Sequence, residues 1–158
     1  MNIRNLFYRD ITFSNEIVID KPVEIVFDFL SNFENMPRWN YYVLSVTKTS
    51  QGPVEIGSTF HQTRKKDTQD YVITEFAHPY KIAVESKWIT LELTMRFSLE
   101  NKNGATKVID TWQVSAPFFA GIFINRNVRE AVAENLQKLK TLLETGAVTL
   151  QDGRLATL

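Results

Sequence analysis

The stretch ITLELTMRFSLE, residues 89–100, decides the fold of this chain. Its odd-numbered positions are apolar from Ile89 to Leu99, and its even-numbered positions are polar from Thr90 to Glu100. Successive side chains of a strand point to opposite faces of a sheet, so this alternation predicts an antiparallel strand with one buried and one solvated face. The sequence NKNG at 101–104 predicts a hairpin turn, and the last strand is predicted over 106–116.

The chain before residue 89 predicts five more strands and two short helices. A strand over 11–20 is followed by an amphipathic helix over 23–30 and by a short helix or turn over 33–40. Further strands are predicted over 42–49, 58–66, 71–76 and 80–88, separated by turn signals such as Gln51-Gly52-Pro53 and 67–70. Tight turns make consecutive strands antiparallel neighbours.

Residues 118–145 lack proline and carry an apolar stripe at helical spacing. This pattern predicts a helix about 42 Å long, at ~1.5 Å per residue, that ends at Gly146. No other predicted element is long enough to cover the apolar face of the sheet. The predicted fold is therefore α+β, with a curved seven-stranded antiparallel sheet wrapped around the C-terminal helix. Because such a sheet is wider than one helix, we expect a cavity between them.

Length and composition limit the possible functions. The 158 residues suit one domain over 11–145, with an N-terminal extension over 1–10 and a frayed or loosely docked tail over 146–158. Eighteen Lys and Arg balance eighteen Asp and Glu, which argues against a nucleic-acid partner. With no cysteine, two histidines and no glycine-rich phosphate loop, we expect neither a metal nor a cofactor. We expect no transmembrane segment and a cytoplasmic location, and we leave open whether the chain is a monomer or a dimer.

Five segments resemble the helix-grip, START-like (SRPBCC) superfamily, the polyketide cyclase/dehydrase and lipid-transport group. They are DKPVEIVF at 20–27, FENMPRWN at 33–40, IGSTF at 56–60, ITEFAHP at 73–79 and GATKV at 104–108. Asn32 or Asn35 stands where the family usually has an acidic residue. The resemblance covers residues 11–145 and implies the helix-grip fold. It leaves the activity open, because the superfamily includes lipid carriers, cyclases, chaperone cofactors and quinone-binding proteins.

Alternate residues of a strand share one face of the sheet, and we call this strand parity. Strand parity and the start of the long helix predict which side chains bind a ligand in the cavity. The apolar helix start over 118–123 is interpreted either as packed core or as the portal of a lipid-like site near Met36 and Trp39. Transient membrane contact there is less favoured, because no Lys/Arg cluster flanks the segment. The predicted ligand-binding residues are Trp39, Phe60, Arg64, Ile73, Val84, Trp88, Leu91, Leu93, Met95, Phe97, Asp110, Trp112, Phe119, Phe123 and Asn127.

Asp110 and Arg64 are the candidates for catalysis. Asp110 shares the inward face of its strand with Val108, Trp112 and Val114, and burial would raise the pKa of its carboxyl toward a value useful in acid–base chemistry. We favour the alternative that Asp110 pairs with Arg64 and has a structural or ligand-orienting role.

Three functions follow, in order of preference. The first is a binding protein for a small hydrophobic ligand such as a lipid, quinone, polyketide or aromatic compound, stabilised by about 25 cal/mol per Å² of buried apolar surface. The second is a cyclase/dehydratase-type enzyme, in which Asp110 works with Arg64 or Tyr71. The third is an interaction or assembly protein, similar to the Hsp90-activator or quinone-complex assembly members of the superfamily. Whether the chain is an enzyme stays open, although the apolar lining is a clearer signal than any acid–base pair.

Overall fold

The main sheet of the protein has seven strands. The computed structural model describes residues 7–87 and 91–158, and within them the side chains outside 118–126. All neighbouring strands are antiparallel in the order β1-β7-β6-β5-β4-β3-β2, which confirms the predicted fold class. The strands are β1 Tyr8–Ile19, β2 Val43–Lys48, β3 Thr59–Arg64, β4 Thr68–Ala77, β5 Lys81–Lys87, β6 Glu92–Lys102 and β7 Ala105–Pro117.

Two short helices connect β1 to β2, as the sequence predicts. Helix α1 spans Val23–Ser31 and buries the apolar residues that recur at helical spacing, including Val26 and Phe27. A 3₁₀ helix spans Phe33–Arg38, and the side chain of Asn32 accepts a hydrogen bond from the Glu34 amide at its start. The long helix, α2, spans Phe118–Thr145, as predicted, and Gly146 follows it in the left-handed conformation.

The core lies between the sheet and the C-terminal half of α2. Leu136, Leu139, Leu142 and Leu143 belong to one large buried cluster that also contains the apolar residues of α1 and the 3₁₀ helix. Val132, nearer the start of α2, packs in a smaller cluster with residues of β1. The inner face of the sheet is therefore filled mainly at the end covered by α1 and the C-terminal half of α2.

The hairpin between β6 and β7 forms as its turn sequence predicts. Asn103 and Gly104 have φ angles of 55° and 93°. Positive φ at both central residues is the requirement of the type I′ turn, which matches the twist of the two strands. The resulting register places Met95 opposite Trp112 and Phe97 opposite Asp110.

Some predicted strand boundaries are wrong. β1 begins at Tyr8, so the end of the predicted N-terminal extension is part of the sheet and pairs with Pro117. β4 begins at Thr68, inside the predicted turn, because the Arg64 amide donates to the Asp67 carbonyl at 2.8 Å and closes a tighter turn. The predicted start of β6 at Ile89 lies outside the described residues, and β6 is seen from Glu92.

The prediction of a frayed or loosely docked tail is also wrong. Residues Ala147–Thr149 (β8) and Leu155–Thr157 (β9) pair as an antiparallel hairpin. Val148 and Leu150 are buried in the main core cluster. Strands of three residues are too short for an alternating pattern to show, so packing against the domain, rather than local sequence, orders this C-terminal hairpin.

We expect replacement of Gly146 by alanine to lower the free energy of unfolding by about 1–2 kcal/mol, since a left-handed conformation costs an L-residue about that much. Gly146 has a φ of 86°, and an added Cβ would meet open space, so the loss would come from backbone strain alone. Chemical denaturation measures the effect. Gly146→Asn is the matched control and should lose less, because asparagine tolerates this conformation. Equal stability of Gly146→Ala and the parent would contradict the strain argument.

Candidate functional site

A cavity of about 500 Å³ lies between the sheet and the middle of α2. Ligand pockets commonly measure about 300–1,000 Å³. The cavity is lined by Met36, Asn40, Tyr41, Tyr42 and Val43 from the segment before β2 and its start, by Gln62, Arg64, Lys65, Lys66, Asp67, Gln69, Tyr71, Val84, Ser86, Leu93, Met95 and Trp112 from β3 to β7, and by Asn127, Val128, Ala131, Val132 and Asn135 from α2.

Most of the inner wall is apolar. Val84, Leu93 and Met95 face it from the middle of the sheet, and Val128 and Ala131 face it from the helix. Trp112 closes the side toward β1, where its ring stacks on Phe13 with the centroids 6.1 Å apart and the planes 9° apart. This wall can bury an apolar ligand without placing a charge against it.

Five buried polar side chains interrupt the apolar wall. The Ser86 hydroxyl donates to the Asp70 carbonyl at 2.7 Å, and we call the other four the polar cluster: Gln62, Gln69, Tyr71 and Asn135. Gln62 and Gln69 stand directly opposite each other in the register of β3 and β4. Gln62 Oε1, Gln69 Nε2, the Tyr71 hydroxyl and Asn135 Oδ1 have no hydrogen-bond partner among the described residues. Buried polar atoms are normally hydrogen-bonded, so these four atoms leave hydrogen-bonding capacity unused at the cavity wall.

Tyr71 is a hydrogen-bond donor in this cluster. Burial raises the pKa of its phenol well above the ordinary value, and the nearby positive charge of Arg64 opposes the shift only in part. The hydroxyl therefore stays protonated at neutral pH.

Charged residues stand at the rim of the cavity, on the β3–β4 turn. The Arg64 guanidinium binds Asp67 through two contacts of 2.6 Å. The Lys65 ammonium lies 4.2 Å from the centre of the Tyr41 ring and 2.7 Å from a carboxylate oxygen of Asp152. These contacts hold the rim in place and tie it to the C-terminal hairpin.

Asp110 is buried but does not line the cavity. Only 2 % of the residue is exposed, and its Oδ2 accepts a hydrogen bond of 2.9 Å from the Trp112 indole. Burial raises the pKa of the carboxyl to about 7, and the bond from Trp112 opposes that shift. The favoured pairing with Arg64 is not observed, since the hairpin turn places Asp67 beside that guanidinium instead. Asp110 therefore reaches the cavity only through Trp112, whose ring it orients.

Six of the predicted ligand-binding residues line the cavity, namely Arg64, Val84, Leu93, Met95, Trp112 and Asn127. Trp39, Phe60, Ile73 and Phe97 face inward as predicted but are packed in the core, where the Trp39 and Phe97 rings are 6.3 Å apart. Leu91 belongs to the described part of the chain but does not line the cavity. Trp88 and the side chains of Phe119 and Phe123 lie outside the described residues.

The polar cluster is the part of the site that the sequence analysis missed. Its signal was present, because Gln62 shares strand parity with Phe60 and Arg64, and Gln69 shares parity with Tyr71 and Ile73. A polar residue at an inward-facing position indicates that the sheet lines a cavity at that place and not the packed core.

Neither histidine faces the cavity. His61 Nδ1 is 2.6 Å from Asp70 Oδ1, and His78 Nε2 is 2.9 Å from Asp28 Oδ1. Within residues 7–87 and 91–158, no group of three or more metal-ligating side chains comes together. No helix among the described residues is long and apolar enough to cross a membrane.

The chain belongs to the polyketide cyclase/dehydrase and lipid transport family, whose model matches residues 10–144. An uncharacterized protein from Rhizobium leguminosarum has the same fold, with a TM-score of 0.66 and 20% identity over 87% of this chain and 96% of its own. The di-domain ARO/CYC protein StfQ of the steffimycin biosynthetic pathway superposes with a TM-score of 0.70 and 12% identity over 88% of this chain. The match spans about half of StfQ, 52% of its length. No curated protein matches the sequence significantly.

Proposed function

We propose that this protein binds a small, mainly apolar ligand in the cavity between the sheet and the middle of α2. The observation that carries the proposal is a cavity of about 500 Å³ whose apolar wall contains four buried, unpartnered polar atoms. Burial of the ligand's apolar surface provides the binding free energy, at about 25 cal/mol per Å². The polar cluster fixes the orientation of the ligand.

A cyclase-type reaction is the second candidate, and the state of the Tyr71 hydroxyl favours it. Its hydroxyl is buried, protonated and unpartnered at the cavity wall. Such a donor can stabilise the negative charge that develops on a carbonyl oxygen while the neighbouring carbon loses a proton to water, before that carbon attacks a second carbonyl and closes the ring. Asp110 does not touch the cavity, so this version of the reaction assigns it only the positioning of Trp112. Incubation with a poly-β-ketone thioester, followed by mass spectrometry, distinguishes binding alone from cyclisation with loss of water, and Tyr71→Phe should abolish the latter.

We expect Ala131→Trp to reduce the affinity for an apolar ligand at least about tenfold, because the indole would occupy the space between α2 and the sheet. The measurement is a fluorescence titration with N-phenyl-1-naphthylamine, an uncharged apolar probe. Gln137→Trp is the matched control, since Gln137 is exposed on the same helix and outside the cavity lining. Equal affinity of both variants for the probe, or absence of binding to the parent protein, would overturn the proposed function.

A further inference from the structure

We infer that the cavity recognises an uncharged head group that both accepts and donates hydrogen bonds, as a carboxamide, a lactam or a hydroxyl group does. The inference rests on the proposed function and adds the chemical class of the ligand's polar end.

The arrangement of Gln62 and Gln69 defines the head group. The two glutamines are direct cross-strand neighbours in β3 and β4. In such a pair the Cβ atoms are about 4.5–5.5 Å apart. Gln62 presents an unpartnered acceptor, Oε1, and Gln69 presents an unpartnered donor, Nε2. A group that carries a donor and an acceptor side by side satisfies both glutamines at once, whereas a pure acceptor such as an ether or a carboxylate satisfies only one.

Tyr71 and Asn135 extend the same recognition along β4 and onto α2. Tyr71 lies two residues beyond Gln69 on the same face of β4, and Asn135 faces the cavity from α2. The Tyr71 hydroxyl can donate and Asn135 Oδ1 can accept, so these two residues repeat the mixed character of the glutamine pair. A ligand held between sheet and helix can therefore bond to both layers.

The distribution of charge disfavours an anionic head group at this position. The buried residues among the described cavity lining are all uncharged. The charged lining residues are the four of the β3–β4 turn at the rim, and Arg64 there already binds Asp67 through two contacts. The Arg64 guanidinium is near enough to act on Tyr71, but Asp67 already neutralises it through its two contacts. An ionised carboxylate in the polar cluster would therefore be buried without a cation of its own, which is strongly unfavourable.

Three probes with one ring system test this inference by isothermal titration calorimetry at pH 8: 2-naphthamide, 2-naphthoate and 2-ethylnaphthalene. We expect the amide to bind at least about tenfold more tightly than the carboxylate, which is about 1.4 kcal/mol. We expect Gln62→Leu and Gln69→Leu to weaken amide binding about tenfold and to leave the affinity for the hydrocarbon within about twofold. Gln113→Leu, an exposed strand residue outside the lining, is the matched control.

The outcomes separate this inference from the proposed function. Failure of all three probes to bind would overturn the proposed function. Binding of the carboxylate as tightly as the amide would overturn the inference alone and would place the head group at the charged rim. Equal loss of amide and hydrocarbon affinity in the two leucine variants would also overturn it, since a general change of cavity shape would then explain the loss. The comparison of amide with carboxylate uses the parent protein, so it holds even where a variant does not fold.

Discussion

Deletion of residues 147–158 is expected to lower the free energy of unfolding by about 3–6 kcal/mol. Val148 and Leu150 of the C-terminal hairpin are buried in the main core, and a buried aliphatic side chain contributes about 1.5–3 kcal/mol. The deletion would also expose core residues of α2 that these two side chains cover. Urea denaturation of the shortened and full-length chains measures the difference.

The same deletion should loosen the rim of the cavity. The Arg154 guanidinium donates to the carbonyl oxygens of Tyr41 and Val43, at 2.8 and 3.4 Å, and Asp152 binds Lys65. Tyr41, Val43 and Lys65 line the cavity, so the hairpin holds this side of it. We expect Arg154→Ala to reduce the free energy of N-phenyl-1-naphthylamine binding by more than it reduces the free energy of unfolding.

Leu155→Ala is the control for the hairpin, because Leu155 lies on β9 and is 70% exposed. It should change the free energy of unfolding by no more than about 0.5 kcal/mol. If the shortened chain melted at the same temperature as the full one, burial of Val148 and Leu150 would contribute nothing measurable. The hairpin lies beyond the residues that the family model matches, so such a result would make it dispensable to the fold that the family shares.

The fold was predictable because its signals are local. The alternation over 89–100 sets the two faces of β6, and the positive φ angles at Asn103 and Gly104 are what the NG sequence favours in a tight hairpin. Helix α2 has an apolar stripe along its length and a glycine at its end, so its bounds follow from spacing and capping. The C-terminal hairpin has neither kind of signal and depends on contacts with distant residues of the core.

The site was predictable only in part, because strand parity shows which face a residue takes and not what fills the space in front of it. Phe60 and Gln62 share one face of β3, yet Phe60 packs against Phe33, 5.2 Å away between ring centres, while Gln62 lines the cavity. The difference arises from the 3₁₀ helix, which covers one end of the inner face. Its position is a tertiary property that no spacing along β3 or β4 reveals.

The Asp110 pairing failed for a related reason. Parity correctly placed Asp110 inward, where it is buried, and correctly placed Trp112 beside it on the same face. It could not show that the tight turn after β3 brings Asp67 within reach of Arg64. A carboxylate three residues away along the chain needs little ordering to meet the guanidinium, so the local pair forms.

Asp110→Asn is expected to remove a pH dependence of stability and to make the protein more stable than the parent at pH 8. The folded carboxyl has a pKa of about 7, raised by burial from the ordinary value of 3.8, so the folded chain keeps a proton that the unfolded chain releases. Its contribution to stability is complete below pH 4, is lost as the pH rises toward 7, and does not return above that. Between pH 5 and pH 8 the loss is on the order of 3 kcal/mol. Asparagine keeps the size and the acceptor for Trp112 without the charge.

Denaturation of both proteins at pH 5, 6, 7 and 8 tests this expectation, with Glu55→Gln as an exposed carboxylate control. The difference in stability between Asp110→Asn and the parent should grow with pH and level off above pH 7, and Glu55→Gln should follow the parent. A difference that is constant across the range would mean that Asp110 is ionised in the folded protein at pH 5. The carboxylate would then need a cationic partner close to Trp112, and Asp110 would again be a candidate for direct contact with a ligand rather than a group that orients the cavity wall.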